Sequence, residues 1–304
     1  MHVLTLVGAA LEDENLISDA ETLLKTVGGS GAVERRALSP GRAVDLVFPS
    51  SDDPASPATT SHAELKARLL ELCAPHAVDF ALQPLDGRRK RLLVADMEST
   101  VIRNEMLDEL ADFVGLREQI ADITERAMNG ELDFESAITE RVALLKDLDE
   151  SVAAQCAERM ELDPGARVLV ATLKAHGVPT ALVSGGFTYF ARMVQDDLGF
   201  DHMQANELLM SGGKLTGEVG RPILDREAKV TALDGLCEQY GLDTADAVTV
   251  GDGANDLSML LKSGLGVAFH GKKHVAEAAH FRIDHGDLST LLYFQGYADA
   301  EHAS

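Results

Sequence analysis

The segment RLLVADMESTVIRNE, Arg91 to Glu105, sets two carboxylates at the end of an apolar run. Leu92 to Ala95 read as a buried strand that stops at Asp96, and Glu98 follows two residues later with the hydroxyls of Ser99 and Thr100 behind it. Carboxylates so close repel each other, so the pattern asks for a cation, and hard oxygen donors suit Mg²⁺. Three other segments offer matching chemistry. LVSGG brings the Ser184 hydroxyl and the approachable backbone of Gly185 to a strand end, where a turn of N–H groups can hold an anion. GDGANDLSM places Asp252, Asn255 and Asp256 in a turn that Gly251 and Gly253 permit, and Lys229 lies on the helical stretch REAKVTALDGLCEQYG. Taken singly, each has an ordinary reading: a capping turn, a strand-to-helix turn, an Asn/Asp/Gly turn, a solvated helix lysine.

The elements around them decide whether they meet. From residue 91 apolar strands (RLLVAD, PTALVSGG, AVTVGDG, GVAF) alternate with helical segments. This predicts an α/β unit whose Rossmann-like parallel sheet is covered on both faces, with its ligand at the carboxyl ends of the strands. Asp96, Ser184 and Asp252 stand at such ends and are expected to converge. Residues 103 to 163 are almost wholly helical in pattern, in four segments. One helix suffices for a crossover, so four predict an inserted cap. QANELLMSGGKLTGEV is expected to form a β-hairpin turning at SGGK. Residues 1–85 read as a β-α-β-β-α-β unit with a polar loop at SSDDPASPATTS, and DGRRKR links it to the remainder, 86–304. That order weakly resembles the small amino-acid-binding ACT domains, so a dimerisation or packing role is expected of it.

With the motifs taken together, the chain resembles the haloacid-dehalogenase (HAD) superfamily, and within it the phosphoserine phosphatases. The resemblance rests on ADMESTVI, TERAMNGELDFESAITERVALLK, LVSGGFT, AKV and TVGDGANDLSML, in family order, from Arg91 to about Leu291. It implies a Mg²⁺-dependent hydrolysis of O-phospho-L-serine to serine and phosphate, the last step of serine biosynthesis, through an aspartyl phosphate on Asp96. The family pattern makes Asp96, the main-chain oxygen of Glu98 and Asp252 metal ligands, with Asp256 supporting the metal's surroundings or Lys229. Ser184, Gly185 and Asn255 are implied to bind the phosphate, and Lys229 to hold Asp96 and offset transition-state charge. In the cap, Glu105 is implied to take the substrate ammonium, Arg141 its carboxylate, and Met128 and Phe134 to form an apolar lid. Without the resemblance these four read as helix faces and cap core.

One residue departs from the pattern. Most members carry Asp two residues after the nucleophile, as general acid and base, where this chain has Glu98. The two acids differ little in ordinary pKa, ~3.9 against ~4.3, but one methylene adds roughly 1.5 Å of reach. The expectation is an active enzyme. The alternatives are a HAD-type phosphatase or phosphotransferase for another small phosphomonoester, such as phosphothreonine or homoserine phosphate, or a phosphoserine or serine sensor disabled by Glu98. Mg²⁺ and Mn²⁺ share oxygen preference and are not separated.

Composition sets the outer bounds. At 304 residues and 45% hydrophobic the chain can bury a sizeable core. A net charge of −23 argues against a nucleic-acid or anionic-membrane partner, and any phosphate site must carry its own positive charge. Cys73, Cys156 and Cys237 are scattered and read as reduced packing residues of a cytoplasmic protein. The N-terminal residues lack a signal-peptide pattern, and no apolar run approaches the ~20 residues of a membrane helix.

Overall fold

The computed structural model describes residues 1–12, 14–26, 32–49, 62–128 and 131–303. The expected loop at 50–61 lies outside the described residues. The chain opens with β1 (His2–Val7), α1 (Glu14–Lys25), β2 (Glu34–Ser39), β3 (Ala43–Phe48), α2 (His62–Cys73) and β4 (Asp79–Pro84). These strands form an antiparallel sheet in the order β2-β3-β1-β4, which the split β-α-β pattern requires. Alternation along β1 and β3 serves two cores. Leu4, Leu6, Leu46 and Phe48 pack on the apolar stripe of α1 (Leu16, Ile17, Ala20, Leu23, Leu24) and on Leu65 and Leu69 of α2. Val7, Ala43 and Ala81 join the core of the second unit. On that side Thr5 Oγ1 donates to the fully buried Asp45 at 2.7 Å, Arg88 pairs with Asp45 at 2.7 Å, and Gln83 Nε2 donates to the Phe294 carbonyl at 2.6 Å.

The second unit runs β5 (Leu92–Ala95), α3 (Met106–Phe113), α4 (Arg117–Met128), α5 (Phe134–Ala143), α6 (Glu150–Ala157), α7 (Ala166–Ala175), β6 (Thr180–Phe187), α8 (Thr188–Leu198) and β7 (His202–Asn206). It continues with β8 (Leu208–Ser211), β9 (Lys214–Val219), α9 (Arg226–Tyr240), β10 (Ala247–Gly251), α10 (Leu257–Lys262), β11 (Leu265–Phe269), α11 (Lys273–Ala278), β12 (Phe281–Ile283) and α12 (Thr290–Phe294). Six parallel strands stand in the order β12-β11-β10-β5-β6-β7. β5, β10 and β11 are buried along their whole length, as strands covered on both faces must be. The chain builds outward from β5 to β7, then returns to β10 on the other side of β5. That reversal is the topological switch point at which such sheets bind ligands. Ala95 pairs with Leu182 and with Val250, so Asp96 and Asp252 just past their strands, and Ser184 just past the regularly paired part of β6, stand at the same edge.

The four helical segments expected before α7 form as α3–α6. Their entry and return strands touch at Ile102 and Leu162, and Asp163 accepts the N–H groups of Gly165 and Leu288. The hairpin β8–β9 turns at Gly212-Gly213, both with positive φ, as a two-residue turn demands. It begins at Leu208, not Gln204. Gln204 to Asn206 belong to β7, a sheet-edge strand whose mixed exposure hid it in the sequence. The three cysteines are free and buried. Among the described residues no helix is long and apolar enough to cross a membrane.

Candidate active site

A cleft of ≈470 Å³ lies between the strand ends and α3–α5. At its base Lys229 Nζ sits 2.7 Å from Asp96 Oδ1 and also contacts Asp256, with side-chain exposures of 3%, 7% and 0% for the three. α9 delivers this lysine from its first turns, after Asp225 caps the helix through the N–H groups of Glu227 and Ala228. Asp256 has both oxygens engaged, one by Lys229 and the other by the Gly253 N–H at 2.9 Å. It is therefore a fixed support that holds both the lysine and the turn bearing Asp252. Carboxylate oxygens of Asp96, Asp252 and Asp256 lie within 4.8 Å of one another. Burial first, then Asp256, pushes Asp96 up to about 8 despite Lys229, and burial with Asp256 pushes Asp252 up to about 6. Against three carboxylates, Lys229 beneath them and Lys272 acting on Asp252 still leave the cluster short of positive charge. The all-oxygen donors fit a hard divalent cation, which would supply what is missing.

Ser184 and Gly185 stand where β6 departs from its register with β7. The Ser184 hydroxyl accepts the Gly186 N–H at 2.9 Å, and Asn206 Nδ2 holds the Gly185 carbonyl at 2.8 Å while its Oδ1 accepts the Leu224 N–H. Asn255 lines the same cleft, beside Asp252 and Gly253.

Glu98 does not lie idle against solvent. It sits in a tight segment, Met97–Val101, in which Ser99 takes φ 54°, and its Oε1 accepts the Met106 N–H at 3.0 Å. Glu105, the N-cap of α3, makes no side-chain cap bond of its own, so the carboxylate of Glu98 caps that helix instead. Beneath it is Gly186, where an added Cβ would lie 2.8–2.9 Å from the Glu98 carboxyl atoms. Burial, with Glu105 next, pushes Glu98 up to about 8.

From the cap side, Glu105 accepts the Ser99 hydroxyl at 2.7 Å and Arg141 enters the cleft from the last turn of α5, its Nε on the Ala137 carbonyl at 3.2 Å. Burial lowers the Arg141 pKa, while Asp108, Glu98 and Glu105 support its charge. Phe134 opens α5 and lays its ring over Gly185, 3.4 Å from where a Cβ there would stand. Met128 closes α4, and its side chain lies outside the described residues. Every other side chain that the resemblance gives a role lines the cleft or, like Lys229 and Asp256, lies directly beneath it.

A family model of haloacid dehalogenase-like hydrolases matches residues 93–261, from β5 through most of α10. The chain belongs to this family. It is 38% identical over 283 residues to a phosphoserine phosphatase of Streptomyces coelicolor, covering 91% of this chain and 69% of the relative. The solved structure of a probable phosphoserine phosphatase from Vibrio cholerae superposes with TM-score 0.77 at 32% identity, covering 99% of this chain and 88% of that one. A HAD-family hydrolase from Salmonella enterica serovar Typhi gives TM-score 0.84 at 28% identity, covering 97% and 99%. Within the HAD family the chain is a phosphatase, an enzyme.

Lys272 also lines the cleft, although no sequence motif marks it. This second cation of the cleft follows β11, and its N–H donates to the Asp252 carbonyl at 3.1 Å. The signal was available: GVAF is a strand whose carboxyl end meets the same edge, and HGKK follows it directly. Thr124 and Gly186, each inside a quoted motif but given no role there, and Asp108, outside the motifs, also line the cleft.

Proposed function

We propose that the chain hydrolyses O-phospho-L-serine to L-serine and phosphate through an aspartyl phosphate on Asp96, supplying serine biosynthesis. The observation that carries this reading is the buried Asp96–Lys229–Asp256 arrangement at the switch point, with Arg141 and Glu105 of opposite charge facing it across the cleft. Relatives named as phosphoserine phosphatases support the substrate.

Asp96, Asp252 and the main-chain oxygen of Glu98 would hold Mg²⁺, with Asp256 behind them. When bound, the ion offsets carboxylate charge and draws the substrate phosphoryl oxygens toward the nucleophile. A free Asp96 oxygen attacks phosphorus, and the bond from phosphorus to the serine oxygen breaks. Glu98, held protonated near neutrality by its burial, gives its proton to that oxygen. Serine leaves. Glu98 then takes a proton from a water whose oxygen attacks phosphorus, releasing phosphate and restoring the Asp96 carboxylate. Lys229 steadies Asp96 and the phosphoryl charge throughout; Ser184, Gly185 and Asn255 supply phosphate donors. Arg141 pairs with the substrate carboxylate and Glu105 with its ammonium, while Phe134, together with Met128, closes over the site.

The same reading divides the chain into an ACT-like unit at 1–85 and a catalytic unit at 86–304 with its cap at about 103–163, in a cytoplasmic protein that dimerises through the N-terminal unit. The split β-α-β sheet supports the first assignment. The test is Asp96→Asn, assayed for phosphate release from L-phosphoserine with Mg²⁺. Turnover is expected to vanish with the melting transition retained, and substantial residual turnover refutes the covalent route. Arg141→Ala should depress phosphoserine hydrolysis and spare p-nitrophenyl phosphate. Equal loss on both would remove the substrate carboxylate from the account and favour another phosphomonoester.

A further inference from the structure

A second cavity, of ≈400 Å³, lies between the N-terminal unit and the edge of the parallel sheet, and shares no lining residue with the catalytic cleft. Its size falls in the ~300–1,000 Å³ range of small-molecule sites. α2 and β4 form one side, α11 and β12 the other. Leu70, Phe80, Leu82 and Phe281 make its surface predominantly apolar, and Lys66 and Arg282 bring two cations to it.

The charges are unevenly matched. Each acidic side chain of the lining has a partner. Asp79 accepts the N–H groups of Asp284, His285 and Gly286, the first and last at 2.8 and 2.7 Å. Asp284 meets Arg282 Nε at 2.8 Å, and Glu277 reaches Lys273 one helical turn away at 3.9 Å. Lys66 is the exception. Its Nζ donates to the His280 carbonyl at 2.7 Å, and among the described residues no carboxylate lies in ion-pair range of it. Burial and then Arg282 lower its pKa, and Arg282, itself paired with Asp284, lines the same apolar cavity in a chain of net charge −23. A half-buried, unpaired ammonium of this kind is stabilised by an anion that arrives with its own apolar body.

We propose that this cavity binds a small organic carboxylate, with its charge on Lys66 beside Arg282 and its hydrocarbon part against Leu70, Phe80, Leu82 and Phe281. Occupancy reaches the catalytic cleft. Asp79, in the cavity wall, holds the Gly286 N–H; the Gly286 carbonyl meets His270 Nε2 at 3.0 Å; two residues on, the Lys272 N–H holds the Asp252 carbonyl at 3.1 Å. A ligand that shifts β4 against β12 therefore displaces a segment bonded to Asp252.

The experiment is calorimetric titration of the full chain with Mg²⁺, using octanoate, decanoate and 4-phenylbutanoate beside octan-1-ol, decan-1-ol and 4-phenylbutan-1-ol. At least one acid is expected to bind at least tenfold more tightly than its alcohol. Lys66→Met should weaken it tenfold or more at an unchanged melting temperature, and Leu70→Trp should block it by filling the space. Lys262→Met, which removes an exposed cation elsewhere, should change nothing. Binding should persist under saturating phosphate and should move kcat or KM for phosphate release by at least twofold. Failure of all three acids to bind, equal affinity of acids and alcohols, indifference to Lys66→Met, or displacement by phosphate each overturns the site. Binding with unaltered kinetics overturns the link to Asp252. Because binding is read directly, a failed activity assay on phosphoserine leaves this test intact.

Discussion

Glu98 and Gly186 should behave as one unit. A Cβ at position 186 would stand 2.8–2.9 Å from the Glu98 carboxyl atoms, whereas ordinary contact requires about 3.4 Å or more. Gly186→Ala must therefore push that carboxylate aside by about half an ångström. A misplacement of about 1 Å costs on the order of 10² in rate, so half of it should cost roughly tenfold in kcat. Glu98→Asp withdraws the group by roughly 1.5 Å, the length of one bond, and frees the space above Gly186. The shortened side chain also releases the Met106 N–H, for which a lost helix cap costs about 0.5–2 kcal/mol. In the Glu98→Asp background, Gly186→Ala should then cost less than about twofold. The coupling between the two sites is the difference, about 1 kcal/mol, well above the scatter of independent sites. The assay is a four-corner cycle of kcat for phosphate release from L-phosphoserine with Mg²⁺, with melting temperatures on the same proteins. Equal tenfold losses in both backgrounds would refute the reasoning, because Gly186 would then be required by something other than Glu98.

Two further outcomes follow from the charges beneath the cleft. Lys229→Met leaves Asp96 and Asp256 buried without their ammonium and should destabilise the chain by about 3–5 kcal/mol, read by urea unfolding; a change below about 1 kcal/mol would mean the lysine is not the cluster's neutralising group. In chelator, Asp96 held up to about 8 and Asp252 up to about 6 make the folded state bind more protons than the unfolded one above about pH 4, so their contribution to stability declines as pH rises through that window. Mg²⁺ held by the proposed carboxylates would compete with those protons: the melting-temperature increase it gives should be small at pH 5 and full above pH 8, and a pH-independent increase would exclude these carboxylates as its ligands.

The residues that line and underlie the cleft were legible for a physical reason. Parallel strands buried on both faces read as unbroken apolar runs, and their ends are marked where the run meets Asp96, Ser184 or Asp252. Sheet order then needs only the reversal at β5 to bring three distant segments to one edge. Edge strands carry no such mark. β7 is partly exposed and β12 is three residues long, so neither shows the run that identifies a central strand. Lys272 was missed because it has no motif, only a position, and position is known once the sheet is assembled.

Glu98 shows where residue type and structure answer different questions. Its type raised a doubt about reach, which sequence alone could only weigh as one methylene too many. The fold resolves where that methylene goes. The carboxylate passes over a residue with no side chain, Gly186, and ends on the first N–H of α3, a helix whose own N-cap leaves that bond unmade. A shorter acid at this position would leave the Met106 N–H without that partner. The longer one ties the segment after β5, which begins at Asp96, to the first N–H of α3, so a movement that draws Met106 away also removes a bond that lowers the carboxyl pKa. The residue that departs from the motif is therefore a connection between the base of the cleft and the helix α3 above it.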